Sequence, residues 1–311
     1  MEQFKECKYP EITNELPMIL YFEIDNRTMV DKPRKGSLHA YFTLMRPGNC
    51  IMSALGVFTG AVVASGLEFI NYPFQIILAS LAALLVTGGG NALNDYYDKD
   101  VDKKNHPERP IASGAIKPTS AFYFACMLFT IGIIFSFFVN VFCILVAIIN
   151  SILLILYEKD LKAKGLIGNI AIAYLVSSIF LFGGAAVNSL FITILLVLTS
   201  FFATLGREII KDVEDVEGDI GRRTLPMVIG KKNSNYAASI FILGAISLSP
   251  LPYYLFSLFT SFLYIIIVLL ADAIFIYAIV ISFSKPKEAS RMTKVGMFVA
   301  LVAFLVGGLV R

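Results

Sequence analysis

Nine apolar stretches succeed one another from residue 46 to the end of this chain, and each is long enough to cross a hydrocarbon core of about 30 Å as a helix of about 20 residues. In lipid every backbone N–H and C=O must find its partner within the protein. The runs are therefore expected as helices, and the protein as an all-α, polytopic membrane bundle. The approximate spans are 46–66, 73–94, 119–138, 139–157, 166–187, 189–210, 235–251, 259–283 and 292–310. Only 16% of the 311 residues are charged, against about 25% in ordinary soluble domains.

The placement of Lys and Arg tests that segmentation independently, because these residues concentrate in cytoplasmic loops. Seven precede or open the first span. Five (Lys99, Lys103, Lys104, Arg109 and Lys117) follow the second, three (Lys159, Lys162 and Lys164) the fourth, six follow or cap the sixth, and four follow the eighth. Of the 26 basic residues only Arg311 falls on the other side. The amino terminus and every even-to-odd loop are thus expected in the cytoplasm, in a cell membrane. The net charge of +3 has its meaning in this asymmetry, and nucleic acid is not an expected partner. Cys7, Cys50, Cys126 and Cys143 show no CxxC spacing and are read as packing residues. Residues 1–36 mix seven acids with six bases and hold no uninterrupted apolar core, so no signal peptide is expected. Residues 1–40 are read as a cytoplasmic extension and 41–311 as the membrane domain.

Two acidic clusters stand at matching helix ends. The second span runs into Asn94-Asp95-Tyr96-Tyr97-Asp98-Lys99-Asp100-Val101-Asp102, and the sixth into Arg207-Glu208-Ile209-Ile210-Lys211-Asp212-Val213-Glu214-Asp215-Val216-Glu217-Gly218-Asp219. The pattern DxxDxxxD occurs in both, on the same side of the membrane. At about 100° per residue, Asp95, Asp98 and Asp102 share one face if the helix continues. Like charges so spaced repel, which calls for something positive between them. Oxygen ligands without His or Cys suit Mg²⁺, so Asp95, Asp98, Asp102, Asp212, Asp215 and Asp219 are read as metal ligands around a diphosphate. One cluster alone would fit a polar helix cap as well as a site; the duplication argues for a site. Arg109, Lys117, Lys162, Arg207 and Lys211 are candidates for the anionic oxygens that the metals leave free. His39 and His106 stand alone and are not read as ligands. Asp272 lies inside the eighth span, where an interhelical hydrogen bond is its expected role. Gly88, Gly89 and Gly90 are expected to permit close helix packing and local bending near the first cluster.

At these residues the chain resembles the UbiA superfamily of intramembrane prenyltransferases, marked by NDxxDxxxD after one span and DxxDxxxD after a later one. The resemblance extends through Arg46-Pro47-Gly48-Asn49, Arg109-Pro110-Ile111-Ala112-Ser113-Gly114, Tyr157 with Leu161-Lys162, and Gly168-Asn169. It covers about 41–310. It implies nine membrane helices around a central cavity capped by the motif loops. It also implies Mg²⁺ bridging the aspartates to a prenyl diphosphate, whose allylic C–O bond ionises before an acceptor captures the cation. Asp95, Asp98, Asp212 and Asp215 are the implied catalytic carboxylates. Asn49, Asn94, Tyr157 and Asn169 are implied polar residues of the substrate site. Within the superfamily, the segment from Arg207 to Asp219 is similar to archaeal digeranylgeranylglyceryl phosphate synthases, which implies geranylgeranyl diphosphate as donor and geranylgeranylglyceryl phosphate, a lipid phosphate, as acceptor. Lys162 is then placed to hold either the diphosphate or the acceptor phosphate.

An aromatic, quinone-precursor acceptor is the alternative within the superfamily. A divalent-cation transporter is the rival outside it, but ion pathways leave ionisable residues within spans, and here Asp272 is the only acid in the middle of one. The acids also fail to match the DGxxAR…GxxxDxxxD arrangement of CDP-alcohol phosphotransferases.

Overall fold

The structure, a computed structural model, describes residues 36–216, 223–254 and 258–310. Its helices are α1 (Leu38–Met45), α2 (Pro47–Ser65), α3 (Pro73–Tyr97), α4 (Lys99–Asn105), α5 (Pro118–Phe137), α6 (Val141–Lys159), α7 (Leu166–Ala186), α8 (Ile194–Asp215), α9 (Leu225–Ile229), α10 (Lys231–Leu248), α11 (Leu251–Tyr254), α12 (Phe262–Ser282) and α13 (Pro286–Leu309). Nine segments among the described residues are long and apolar enough to cross a membrane, and they correspond one to one with the nine apolar runs. Some ends fall short of the expected spans, as at the start of α12, while at the charged end of the bundle they run past them: α3 continues through Tyr97, α8 through Asp215, and α10 begins at Lys231, because a helix persists past the lipid while an apolar pattern stops where polar side chains reach water. Proline opens α2, α3, α5 and α13, where its missing N–H costs no hydrogen bond and its fixed φ suits the first turn.

Each long helix packs on the next, and α13 returns to α2 to close a ring. α2 and α7 also meet directly, and glycine is what lets them. A Cβ on Gly183 would lie 2.1 Å from the Val57 carbonyl oxygen, and one on Gly60 would lie 2.3 Å from that of Phe180. Small residues are the usual means of such backbone approach in membranes, where burial from water drives nothing. The three consecutive glycines of α3 act as expected in packing: added Cβ atoms would press on Met45, Phe129 and Leu154 respectively. They do not interrupt the helix, whose break falls later, at Asp98. Polar pairs tie helices within the bundle. Thr87 Oγ1 donates to Ser53 Oγ at 2.8 Å, and Asn150 Nδ2 to Ser178 Oγ at 2.8 Å.

Asp272 has the interhelical role expected of it. Its carboxyl oxygens lie 3.1 and 3.0 Å from Ser249 Oγ, just past α10, and the Tyr264 hydroxyl donates to the Ser249 carbonyl. Cys50 and Cys143 are buried free thiols, while Cys126 is a free thiol that is exposed; Cys7 lies outside the described residues. Of the 1–40 extension, residues 1–35 lie outside them as well. α1 runs across the 40/41 boundary, with Ala40 and Leu44 both buried against the bundle.

Candidate active site

The first acid motif is built on a break in α3. The helix ends at Tyr97, Asp98 caps it through its N–H to the Asn94 carbonyl, and α4 resumes at Lys99. The single shared face expected of a continuous helix is therefore not what forms. Asp95 and Asp102 turn together toward Arg109, whose Nη1 lies 2.7 Å from both Asp102 oxygens and 3.7 Å from Asp95 Oδ1. Asp98 turns the other way, to Lys162 Nζ at 2.5 Å. Arg109 reaches back because its loop is anchored: Ile111, Ala115 and Ile116 are buried among Ala40, Leu44 and Leu93.

Two residues that the sequence reading left out of the site complete this cluster. Arg46 Nη2 donates to Asn94 Oδ1 at 2.7 Å and to Asp95 Oδ1 at 2.5 Å. Asp95 is only 3% exposed, and a carboxylate so buried needs cationic partners. Glu158, in the last turn of α6, accepts from Asn94 Nδ2 at 2.9 Å and Lys162 Nζ at 3.2 Å. Arg46 had a signal in the Arg-Pro-Gly-Asn resemblance; Glu158 had only its place beside Tyr157, four residues before Lys162. Asn94 is the hinge of the network, its oxygen toward Arg46 and its nitrogen toward Glu158 and, at 3.3 Å, Asp98. Asn49 lies at the edge, its Nδ2 3.5 Å from Asn91 Oδ1, one turn before Asp95.

The second motif lies at the end of α8. Asn169 Nδ2, in the first turns of α7, donates to Asp212 Oδ2 at 2.7 Å. Asp215 ends the helix, exposed, and Asp219 lies outside the described residues. Arg207 Nη1 pairs with Glu208 at 2.6 Å, Lys211 approaches the same carboxylate at 3.7 Å, and Arg207 Nε is buried without a hydrogen-bond partner among the described residues. The two motifs meet at the beginning of α7. The 161–163 turn carrying Lys162 packs so closely on that helix that a Cβ on Gly168 would lie 2.6 Å from the Leu161 carbonyl oxygen. Lys162 thus reaches the first motif and Asn169 the second from either side of one tight corner. Tyr157 stands beside Glu158, half-buried.

Not every expected residue joins. Lys117 is exposed at the start of α5 and makes no ion pair among the described residues. His106, read as unpaired, has its Nδ1 3.3 Å from Glu108 Oε1 on an exposed loop. There Glu108's own backbone N–H, and then His106, hold its carboxyl below the usual range.

The donor set is all oxygen. Among the described residues no three carboxylates enclose an ion by themselves. An all-oxygen donor set suits Mg²⁺, which keeps its waters and takes one or two carboxylates together with substrate phosphates. Asp98, a quarter exposed, and Asp212 and Asp215 at the end of α8 are the carboxylates within reach of solvent.

Known proteins share the sequence and fold of this chain. The UbiA prenyltransferase family profile matches residues 53–302. The chain is 43% identical over 279 residues to the digeranylgeranylglyceryl phosphate synthase of Methanococcus maripaludis strain C6, covering 88% of this chain and 99% of that one. It is 41% identical over 292 residues to the Methanosarcina mazei synthase, covering 87% and 98%. A solved digeranylgeranylglyceryl phosphate synthase structure superposes with a TM-score of 0.77 at 36% identity, over 88% of this chain and 98% of that one. A UbiA homologue from Archaeoglobus fulgidus, solved with DMAPP and Mg²⁺, shares the fold at 17% identity with a TM-score of 0.62, over 85% and 99%. With acid motifs at one end of a nine-helix membrane bundle, and with these relatives, the chain belongs to the UbiA prenyltransferase family.

Proposed function

We propose that this protein transfers a geranylgeranyl group from geranylgeranyl diphosphate to geranylgeranylglyceryl phosphate, making the second ether bond of an archaeal membrane lipid. The observation that carries the chemistry is the convergence of both acid motifs, with Arg46, Arg109 and Lys162, on one end of the bundle around the start of α7. The acceptor rests on identity of 40% or more to synthases of that name.

Asp95, Asp98, Asp102, Asp212, Asp215 and Asp219 are the residues assigned to hold Mg²⁺, which when bound neutralises charge on the leaving diphosphate. Arg46, Arg109 and Lys162 stabilise charge left on the diphosphate oxygens. Asn94 and Asn169 orient Asp98 and Asp212 through their amide nitrogens. Lys162, being paired with Asp98, belongs with the diphosphate, and Arg207, whose buried Nε has no hydrogen-bond partner among the described residues, is the better placed group for the acceptor phosphate. Asn49, Tyr157 and Lys211 border the same region and complete the substrate assignment. The active site faces the cytoplasm in this reading, which the one-sided placement of Lys and Arg supports.

Magnesium-dependent transfer of radiolabelled geranylgeranyl tests this directly. Asp95→Ala and Asp212→Ala should each abolish transfer while the protein stays folded in detergent, and EDTA should do so reversibly. Full activity in either variant would defeat the two-motif site.

A further inference from the structure

Glu158 is a buried carboxylate that belongs to neither acid motif. Its side chain is 7% exposed, and its Oε2 accepts from both Lys162 Nζ and Asn94 Nδ2. Two carboxylates therefore share one ammonium, since Lys162 also reaches Asp98 Oδ2 at 2.5 Å. A second buried acid beside Asp98 adds repulsion and desolvation, so packing alone does not account for it.

The sharing has a consequence when substrate arrives. For Asp98 to take up a metal and diphosphate it must give up Lys162. An ammonium has three donors, so Lys162 can keep Glu158, four residues before it, while a donor released by Asp98 passes to a diphosphate oxygen. Without Glu158, the flexible four-carbon side chain has nothing to hold it at the site once Asp98 lets go. Asn94 is retained in the same way, through its own bond to Glu158. We propose that Glu158 is a positioning residue that keeps Lys162 and Asn94 at the prenyl-diphosphate subsite as Asp98 exchanges its lysine for substrate. This rests on the function proposed above.

The test is a double-mutant cycle on the full-length protein in detergent, with Glu158→Gln, Lys162→Met and the pair. The dissociation constant for geranylgeranyl diphosphate is measured by calorimetry in EDTA, and KM and kcat are measured with Mg²⁺. Glu158→Gln should raise both the metal-free dissociation constant and the KM for geranylgeranyl diphosphate about 10-fold, the loss expected of one charge-assisted contact. The kcat and the acceptor KM should stay within about twofold. In the Lys162→Met background, Glu158→Gln should change the dissociation constant by no more than about twofold. Additive effects overturn the inference, as does a variant that loses kcat or melts earlier with diphosphate binding unchanged. If Glu158→Gln alone fails to fold, the pair, which removes both the Glu158 carboxylate and the Lys162 ammonium, supplies the answer: its binding should equal that of Lys162→Met, and weaker binding overturns the inference. Where EDTA abolishes binding the cycle is read on the KM with Mg²⁺; unmutated protein that transfers no geranylgeranyl group with Mg²⁺ overturns the proposed function as well, whereas normal transfer with additive variants overturns this inference alone.

Discussion

Replacing Arg46 by Ala removes a side chain that touches the first acid motif without belonging to it. Arg46 sits in the left-handed region, φ 52°, between α1 and α2. Alanine at that position carries the same backbone strain as arginine, so the substitution reports on the side chain. What is lost is one guanidinium nitrogen shared between Asn94 Oδ1 and Asp95 Oδ1. A hydrogen bond to a charged group contributes about 1.5–3 kcal/mol. Arg46 is a third exposed, so solvent screening puts it toward the lower end, and Arg109 stays 3.7 Å from Asp95 as partial compensation. About 1.5–2 kcal/mol corresponds to roughly a 10- to 30-fold fall in kcat/KM for the prenyl diphosphate. Arg46→Lys keeps the charge without the planar fork and should recover part of the loss. The assay is initial-rate product formation at saturating acceptor. A kcat/KM for Arg46→Ala within about threefold of the unmutated value, well under the smallest loss one such contact predicts, would refute the assignment of Arg46 to the site.

Gly183→Leu should lower the melting temperature in detergent and the yield of folded protein, since even its Cβ would fall 2.1 Å from the Val57 carbonyl and overpacking costs about 1–3 kcal/mol or more; an unchanged melting curve would contradict the α2–α7 contact. Asp272→Asn should keep activity within about twofold, because an amide can still bond the Ser249 hydroxyl and a neutral hydrogen bond contributes only about 1 kcal/mol; loss of turnover in folded protein would move Asp272 into the mechanism. Single cysteines in a cysteine-free background at Asn105 and Asn233 should label from the cytoplasmic side, and one at Asn71 only from outside. Labelling of Asn105 from outside would overturn the orientation.

The nine helices were legible because lipid forces backbone hydrogen bonds inward and leaves length and hydropathy as the deciding signals. The duplicated DxxDxxxD spacing was legible for a similar reason, since two copies at equivalent helix ends are hard to obtain from capping alone. Hidden from periodicity was the break at Asp98, which no Gly or Pro announces and which sends Asp98 to Lys162 while Asp95 and Asp102 stay with Arg109. Arg46 and Glu158 were hidden for another reason. Asp95 lies 49 residues from Arg46 and Asn94 64 from Glu158, and only helix packing brings these pairs together. Lys117 shows the converse: its position after the second span satisfied the charge asymmetry, and nothing local distinguishes a topological lysine from a ligand.

The central claim, geranylgeranyl transfer to a glyceryl phosphate lipid, is tested most directly by mass spectrometry of products. Purified protein is incubated with geranylgeranyl diphosphate, Mg²⁺ and equal amounts of geranylgeranylglyceryl phosphate and an aromatic quinone precursor. The account predicts digeranylgeranylglyceryl phosphate as the dominant product, absent when EDTA is added, and a prenylated aromatic product formed in preference to it would contradict the account.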